Sequence, residues 1–322
     1  MKLIIQIPCL NEEETLAVTL NELPKQIDGI DEIDILIIDD GSTDNTVRVA
    51  KDNGVNHIIK FTNNKGLAEA FNAGIDACLK LGADIIVNTD GDNQYSANDI
   101  EKLILPILKK EADIVIGDRQ VNNVQHFSFT KKKLQLLGSW VVKHVSNTEV
   151  PDATSGFRAF SKEAALRMNV ITKFSYTLET IIQAGKKNLA VAHIPVQTNE
   201  KLRDSRLFKS IPSYLKRSVL TIFRIYTMYE PLKTFIWIGG LIFGAGFLVS
   251  LRYLFLKFIM DSGAGHIQSL ILGAVLLMIG FQVMMIGLVA DLIGGTRRLQ
   301  EDILYRVKKL ELSSNKNKKN VE

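Results

Sequence analysis

The chain has 322 residues, of which 46% are hydrophobic, and its formal net charge is +4 at pH 7. This length leaves room for one soluble domain of about 200 residues and a second part. Much of the basic excess flanks two apolar stretches near the C-terminus, which favours anionic lipid and argues against nucleic acid as a partner. Cys9 and Cys78 lack a paired spacing and the histidines are scattered, so we expect neither a disulfide framework nor a zinc site.

Apolar strands alternate with helical patterns through the first two thirds of the chain. Strands are predicted at 2–7, 34–38, 55–61, 85–88, 113–117 and 190–197. Helices are predicted at 12–23, 45–52, 66–81, 98–110, 134–145, 162–168 and 176–186. Continuous apolar strands joined through helices form parallel sheets covered on both faces, so we expect an α/β fold that binds ligands beyond the strands' carboxyl ends.

Two carboxylates follow the strand at 85–88 directly. Asp90 and Asp92 are separated by Gly91, which allows a tight turn and lets a ligand approach the main chain closely. At the carboxyl edge of a parallel sheet, such a pair can share one hard divalent cation and leave positions open for phosphate oxygens. The pair therefore predicts Mg²⁺ or Mn²⁺ bound together with a diphosphate.

Other carboxylates and amides are predicted to lie at the same edge. Asn11 and Glu12 follow the first strand, and Asp39 and Asp40 follow the second. Side chains of these types suit a nucleotide with its metal, with Asp40 beside the base or ribose.

The segment after Pro151 can bind phosphate. Ser155, Gly156 and Arg158 offer backbone N–H groups and a guanidinium, a combination suited to phosphate oxygens. The alternative is an ordinary turn. The basic run at 131–133 also has two interpretations, a solvated face or a site that attracts phosphate.

Two apolar stretches, at 234–256 and 270–292, are each long enough to cross a bilayer of about 30 Å. Lysine and arginine flank them on their outer ends, so the positive-inside rule places both chain ends in the cytoplasm and the connecting loop outside. The segment before them, 208–233, has the pattern of an interfacial helix, and the apolar run at 3–7 is too short for a signal peptide. We expect a multi-pass protein of the cell membrane with a cytoplasmic soluble domain and a disordered tail from Ser313.

Glycines recur within both apolar stretches. In the second they are spaced by seven residues, at Gly273, Gly280, Gly287 and Gly294. The first contains Gly240 and Gly244. Small residues on one stripe allow close helix packing, either between the two spans or between subunits of a homo-oligomer.

Five motifs together resemble the family 2 glycosyltransferases, and in particular the dolichyl-phosphate mannose or glucose synthase group. They are residues 8–12, 39–44, 64–74, 90–94 and 155–158, which occur in the order seen in that family. The resemblance covers residues 1–206, and the two C-terminal spans resemble those of bacterial polyprenyl-phosphate glycosyltransferases. It implies a GT-A catalytic domain, a GDP- or UDP-sugar donor and a polyprenyl phosphate acceptor such as an undecaprenyl or dolichyl phosphate.

The resemblance also implies roles for individual residues. The nucleotide would be lined by Pro8, Asn11, Glu12, Asp39 and Asp40. The metal and diphosphate would be held by Asp90, Asp92 and Gln94. The acceptor phosphate would be met by Arg119, Ser155, Arg158, Arg203 and Arg206. Asp90, Asp92, Arg119 and Arg158 would act directly in catalysis.

The expected organisation has four parts. Residues 1–207 form the GT-A domain, 208–233 the amphipathic juxtamembrane helices, 234–295 two transmembrane helices with a short external loop, and 296–322 a cytoplasmic helix and the disordered tail.

A lipid phosphate supplies its own nucleophile, because a phosphate monoester has a second pKa of about 6. The reaction then needs no general base, and in-line attack would invert the anomeric configuration. A lipid hydroxyl acceptor would need a base, for which Glu179 is the candidate, unless this residue is a helix carboxylate paired with a nearby lysine or arginine. Two further alternatives are a polysaccharide synthase, whose Gln-x-x-Arg-Trp motif is missing from the sequence, and a non-catalytic nucleotide-sugar binder or scaffold.

Overall fold

The computed structural model describes residues 1–55, 57–120, 129–172, 176–199, 211–258 and 267–319. Within them, seven strands form one sheet in the order β3-β2-β1-β4-β6-β5-β7. The strands are β1 (Lys2–Cys9), β2 (Glu32–Asp39), β3 (His57–Lys60), β4 (Ile85–Asn88), β5 (Ile114–Asp118), β6 (Arg158–Ser161) and β7 (Val191–Pro195). Every neighbouring pair is parallel except the two that involve β6. The mostly parallel α/β sheet expected from the sequence is confirmed.

Strand β6 was not expected. It lies antiparallel between β4 and β5, with Arg158 opposite both Asn88 and Ile116. Its first residue therefore lies beside the carboxyl ends of its neighbours. This reversal brings the loop at 152–157 to the edge where ligands bind in such sheets.

Helices cover the sheet and extend beyond it. They are α1 (Leu16–Glu22), α2 (Thr46–Asp52), α3 (Leu67–Lys80), α4 (Ile100–Leu108), α5 (Phe129–Ser146), α6 (Lys162–Arg167), α7 (Tyr176–Lys186), α8 (Ile211–Tyr229), α9 (Pro231–Phe258) and α10 (Ile267–Lys319). The core between sheet and helices is built from strand residues such as Leu3, Ile5 and Val87 and from Leu16, Leu103 and Ile104 of the helices.

Helix α1 begins four residues later than expected. Asn11 has a φ of 55°, a left-handed conformation that asparagine tolerates, so the chain turns before the helix starts. The Glu13 carboxylate accepts hydrogen bonds from the backbone and side-chain amides of Asn45, at 2.9 and 3.0 Å. These contacts hold residues 12–15 as a turn instead of a first helical turn.

The described residues divide into two compact units. The first comprises Met1–Ile222 with Tyr305–Glu322, and the second comprises Phe223–Leu304. The second contains two helices long and apolar enough to cross a membrane. Many of their exposed side chains are large and apolar, and Trp237 is 74% exposed. The expected boundaries at 207 and 208 lie outside the described residues.

The C-terminal helix continues past the position where disorder was expected. Helix α10 runs through Lys319, so the expectation of a disordered tail from Ser313 is wrong for residues up to that point. Within the first unit, Tyr305 donates to Glu163 at 3.1 Å and lies 4.8 Å from the Arg167 guanidinium. Contacts of this kind with α6 give the helix end a packed partner.

Glycines allow the two helices of the second unit to pack closely. A Cβ atom added at Gly280 would lie 2.5 Å from the backbone nitrogen of Phe243 and 2.8 Å from the carbonyl oxygen of Gly239. One added at Gly246 would lie 3.0 Å from the carbonyl oxygen of Gly273. The stripe therefore packs between the two helices. Gly240, named in the sequence analysis, faces open space and is not part of this contact.

We predict that Gly280→Ala destabilises the second unit, because backbone atoms of α9 cannot move aside without separating the helices. Overpacking of this kind costs about 1–3 kcal/mol. The measurement is thermal unfolding of detergent-solubilised protein followed by circular dichroism. Gly240→Ala is the matched control and should keep the wild-type midpoint, since nothing lies within 4 Å of its added methyl group. Equal midpoints for the two variants would contradict the packing described.

Candidate active site

The acidic pair lies immediately beyond β4. Gly91, the residue between its members, is hydrogen-bonded to residues at the start of α1. The carbonyl oxygen of Gly91 accepts hydrogen bonds from the hydroxyls of Thr15 and Thr19, at 2.9 and 3.2 Å. A Cβ atom at this glycine would lie 3.1 Å from the Cys9 sulfur. Gly91 is therefore required for close packing, and its φ is not in the left-handed region. The Asp90 and Asp92 side chains stay half-buried at the sheet edge.

The predicted nucleotide-binding residues lie at the ends of β1 and β2. Asp40 is buried and accepts from the backbone N–H groups of Lys65 and Gly66, at 2.7 and 2.9 Å. Burial raises the pKa of Asp40 above its ordinary value in spite of these donors, and neighbouring Asp39 adds to the rise. The Asp39 Oδ1 atom accepts from the Ser42 N–H, whereas its Oδ2 atom has no hydrogen-bond partner within the described residues.

Asn11 and Glu12 are tied to the loop after β2. The Asn11 side-chain oxygen accepts from the Thr43 N–H at 2.8 Å, and the Glu12 N–H donates to Thr46 at 2.8 Å. The ends of β1 and β2 are thus joined across the nucleotide side of the edge. Pro8 lies within β1, which ends one residue later at Cys9.

Negative charge is concentrated at this edge. Burial is the main cause that raises the pKa of the Cys9 thiol well above its usual range, and the nearby carboxylates of Glu12, Asp39, Asp90 and Asp44 raise it further. Four carboxylates from three different loops therefore act on one buried atom. A divalent cation at the edge would offset their mutual repulsion.

The residues fit a metal that is shared with a substrate. Among the described residues, no three side chains from histidine, cysteine, aspartate and glutamate are arranged to hold a metal ion by themselves. The pair Asp90 and Asp92 supplies hard oxygen ligands, and Mg²⁺ commonly takes one or two carboxylates together with phosphate oxygens and water. Gln94 lies next to the pair, and its N–H donates to Asp92 at 3.3 Å.

Arg119 emerges from the end of β5 and is fixed by a buried carboxylate. Its Nε and Nη2 atoms donate to the two oxygens of Asp152, at 2.7 and 2.9 Å, and Nη2 also donates to Thr154 at 2.7 Å. Burial opposes the charge of Arg119, but Tyr95, Asp152 and Asp90 outweigh it and raise the pKa of the guanidinium further above its ordinary value. A permanent cation is thus held near the first carboxylate of the acidic pair.

The structure places Arg158 away from the position expected for a phosphate ligand. The side chain is fully buried at the start of β6. It donates to the carbonyl oxygens of Ala153, Ser155 and Thr177, at 3.0, 2.8 and 2.8 Å. Burial lowers the pKa of Arg158 to about 10, so it remains charged at neutral pH. We now assign to it the support of the loop at 153–155, in place of direct contact with an acceptor.

Three further residues were predicted to bind the acceptor phosphate: Ser155, Arg203 and Arg206. Ser155 is fully buried, like Arg158. Arg203 and Arg206 lie outside the described residues. Of the predicted phosphate ligands in the described part of the chain, Arg119 is therefore the one whose side chain is partly exposed.

Sequence reasoning missed the partners that hold these groups. The sequence analysis assigns no function to Asp152 and Thr154, which hydrogen-bond to Arg119. The signal available was an arginine directly after a strand, together with an Asp-x-Thr turn that could pair with it. The sequence also held a signal for Asn88, because this amide ends a strand that is otherwise apolar.

We predict that Asp152→Asn destabilises the first unit by about 3–5 kcal/mol, since it removes the buried negative charge that is paired with the Arg119 guanidinium. Chemical unfolding at neutral pH measures this loss. Asp34→Asn removes a half-exposed carboxylate paired with Lys2 at 2.7 Å and is the control. Its loss should be below about 1 kcal/mol. Similar losses for the two variants would contradict a buried, essential pair.

The same pair predicts a pH dependence. Burial opposes ionisation of Asp152, but the Arg119 charge lowers the pKa of the carboxyl below its ordinary 3.8. The stabilisation is therefore complete above about pH 4 and is lost as the pH falls through the lower pKa of the folded state. The difference in unfolding free energy between wild type and Asp152→Asn should stay constant from neutral pH to about pH 5 and shrink below pH 4.

Comparison with known proteins identifies the family. Residues 4–167 match the family described as Glycosyl transferase family 2. The UDP-N-acetylglucosamine–dolichyl-phosphate N-acetylglucosaminyltransferase of Methanococcus voltae is 33% identical over 214 residues, which cover 60% of this chain and 83% of that protein. The undecaprenyl-phosphate mannosyltransferase of Micrococcus luteus is 26% identical over 212 residues, covering 62% and 85%.

A solved structure supports the fold. Glucosyl-3-phosphoglycerate synthase from Mycobacterium tuberculosis, in complex with Mn²⁺, UDP-glucose and phosphoglyceric acid, aligns with a TM-score of 0.56 at 19% identity. The alignment covers 70% of this chain and 79% of that one. The catalytic unit has the GT-A fold, and the chain belongs to the family 2 glycosyltransferases.

Proposed function

We propose that this glycosyltransferase moves a sugar from a nucleotide sugar to a polyprenyl phosphate, with the aid of Mg²⁺ or Mn²⁺ and with inversion at the anomeric carbon. The names of the two relatives above support the acceptor class. The observation that carries the proposal is the position of Arg119, a cation hydrogen-bonded to Asp152 and Thr154 of the loop whose Gly156 lies against Asp90. A phosphate placed between this cation and the acidic pair would lie beside the donor's diphosphate.

The chain's own residues account for binding and orientation. The ends of β1 and β2 would hold the nucleotide, and Arg119 would orient the acceptor phosphate. A divalent metal bound by Asp90 and Asp92 would neutralise charge on the leaving diphosphate. The acceptor is a doubly charged monoester near neutral pH, since its second pKa is about 6, so it attacks without transferring a proton to the protein.

The hydroxyl acceptor is disfavoured by the surroundings of Glu179. This carboxylate is fully buried and accepts from the N–H groups of Ile171 and Thr172, both at 2.9 Å. It also accepts from the Thr172 hydroxyl at 2.6 Å and from Gln183 at 3.1 Å. The partners are backbone and neutral side-chain donors, in place of the lysine or arginine expected from the sequence. A carboxylate held in this way supports the loop before α7 and is poorly suited to accept a proton from a substrate.

A membrane location follows from the same proposal. A polyprenyl chain is confined to the bilayer, and the second unit offers two helices long enough to span it. The charge distribution around those helices supports a cytoplasmic catalytic unit and cytoplasmic chain ends. Whether the protein is a homo-oligomer stays a prediction, as does the boundary between the GT-A domain and the juxtamembrane helices.

The experiment incubates detergent-solubilised protein with Mn²⁺ or Mg²⁺, a short polyprenyl phosphate and a panel of GDP- and UDP-sugars. Mass spectrometry detects the lipid-linked sugar. Asp92→Asn should lower the rate by about 10²-fold or more, because a charge-stabilising ligand is lost. Asp76→Asn is the control: this carboxylate pairs with Lys80 on α3 at 2.8 Å and should leave the rate unchanged. Transfer to a polyprenol but not to its phosphate would contradict the proposed acceptor.

Glu179→Gln separates the two acceptor classes. We expect a loss of stability of about 1–3 kcal/mol, because charge-assisted hydrogen bonds from a buried loop are weakened. Turnover per folded molecule should stay within about threefold of wild type, as expected when no base is removed. Thermal unfolding and the mass-spectrometric assay measure the two effects. A folded Glu179→Gln protein without turnover would support the hydroxyl acceptor.

A further inference from the structure

The peptide of Gly156 is held at both ends by the segment that carries the acidic pair. Its N–H donates to the Tyr95 hydroxyl at 3.0 Å, and its carbonyl oxygen accepts from the Asn88 side-chain amide at 2.9 Å. In sequence, Asn88 lies just before Asp90 and Tyr95 just after Asp92. The loop before β6 is therefore fastened to both sides of the acidic pair.

Gly156 also lies directly against one of the carboxylates. A Cβ atom added there would be 3.1 Å from both carboxylate oxygens of Asp90 and 3.0 Å from the Tyr176 hydroxyl. Its φ is outside the left-handed region, so conformation does not require glycine. Glycine is favoured here because a larger side chain would crowd the Asp90 carboxylate, which packs beside the Gly156 α-carbon.

Gly156 belongs to a buried hydrogen-bond network with Asn88 and Tyr176. Asn88 is fully buried, and its side-chain oxygen accepts from Gln6 at 2.8 Å while its amide also donates to Tyr176 at 2.8 Å. The Tyr176 ring stacks on Phe71, with centroids 4.1 Å apart and an angle of 2° between the planes. A buried polar network whose members are paired holds one arrangement.

We infer that Asn88, Tyr95 and Gly156 are positioning residues that fix the Asp90 carboxylate for a metal-bound diphosphate. The inference rests on the proposed function, because it concerns the carboxylate that the metal would use. It assigns a function to Asn88 and Tyr95, for which the sequence motifs give none, and a different one to Gly156. The loop that contains Ser155 and the acidic pair then act as one preorganised body, in which a shift of either displaces the other.

The experiment compares two glycine replacements of similar crowding. Gly156→Ala places a methyl group against Asp90, whereas Gly287→Ala, in the second unit, places one 2.8 Å from the apolar side chain of Phe235. Electron paramagnetic resonance of free Mn²⁺ measures the Kd for the metal in the presence of UDP, and in parallel of GDP. We expect Gly156→Ala to raise this Kd about tenfold or more, and Gly287→Ala to change it less than about twofold.

Tyr95→Phe provides a second variant without added volume. It removes the hydroxyl that accepts from the Gly156 N–H and keeps the ring, whose centroid lies 5.1 Å from that of Phe157. We expect a Kd raised about threefold to tenfold, because the Gly156 N–H loses its acceptor.

The outcomes separate the two proposals. If wild type binds Mn²⁺ with UDP or GDP and both Gly156→Ala and Tyr95→Phe bind it equally well, this inference is overturned and the proposed function stands. Equal losses for Gly156→Ala and Gly287→Ala also overturn it, because general destabilisation by crowding then explains the effect. A wild-type protein that binds no Mn²⁺ with either nucleotide overturns the metal-dependent function, and the inference with it.

Discussion

The reversed direction of β6 is the constraint on which the active edge depends. A parallel strand in this position would begin at the far side of the sheet, and the loop before it would lie away from the nucleotide. Because β6 is antiparallel to β4 and β5, Arg158 lies opposite Asn88 and Ile116, and residues 152–157 are brought to the carboxyl edge. The Asp152 carboxylate that fixes Arg119 and the glycine that supports Asp90 both come from this one loop.

The reversal requires a buried charge at the strand's first residue. Arg158 places its guanidinium among the carbonyl oxygens of the loop and of α7, where each donor finds an acceptor that a neutral side chain of similar size would leave unpaired. Burying a cation is costly unless it is hydrogen-bonded, and here the hydrogen bonds also close the loop. The loop that carries Asp152 and Gly156 thus depends on the hydrogen bonds of a fully buried arginine.

Much of the fold could be predicted from the sequence, because the apolar strands are short, continuous and separated by clear helical patterns. The Asp-x-Asp pair and the carboxylates after β1 and β2 could be placed at one edge for the same reason. Strand β6 could not, since four residues that begin with arginine give no strand pattern. The burial of Arg158 and the partners of Glu179 depend on the register between β4 and β6 and on the loop before α7. No local pattern encodes these long-range contacts.

The exposed Trp237 side chain has a spectroscopic consequence. The chain contains two tryptophans, and they fall in different units: Trp140 in α5 is 57% exposed within the first, and Trp237 in α9 is 74% exposed on an apolar helix of the second. Intrinsic fluorescence is therefore the sum of two emitters in chemically distinct settings. An aqueous quencher and a lipid-borne quencher can divide that emission without labels, so the two units carry their own separate optical reporters.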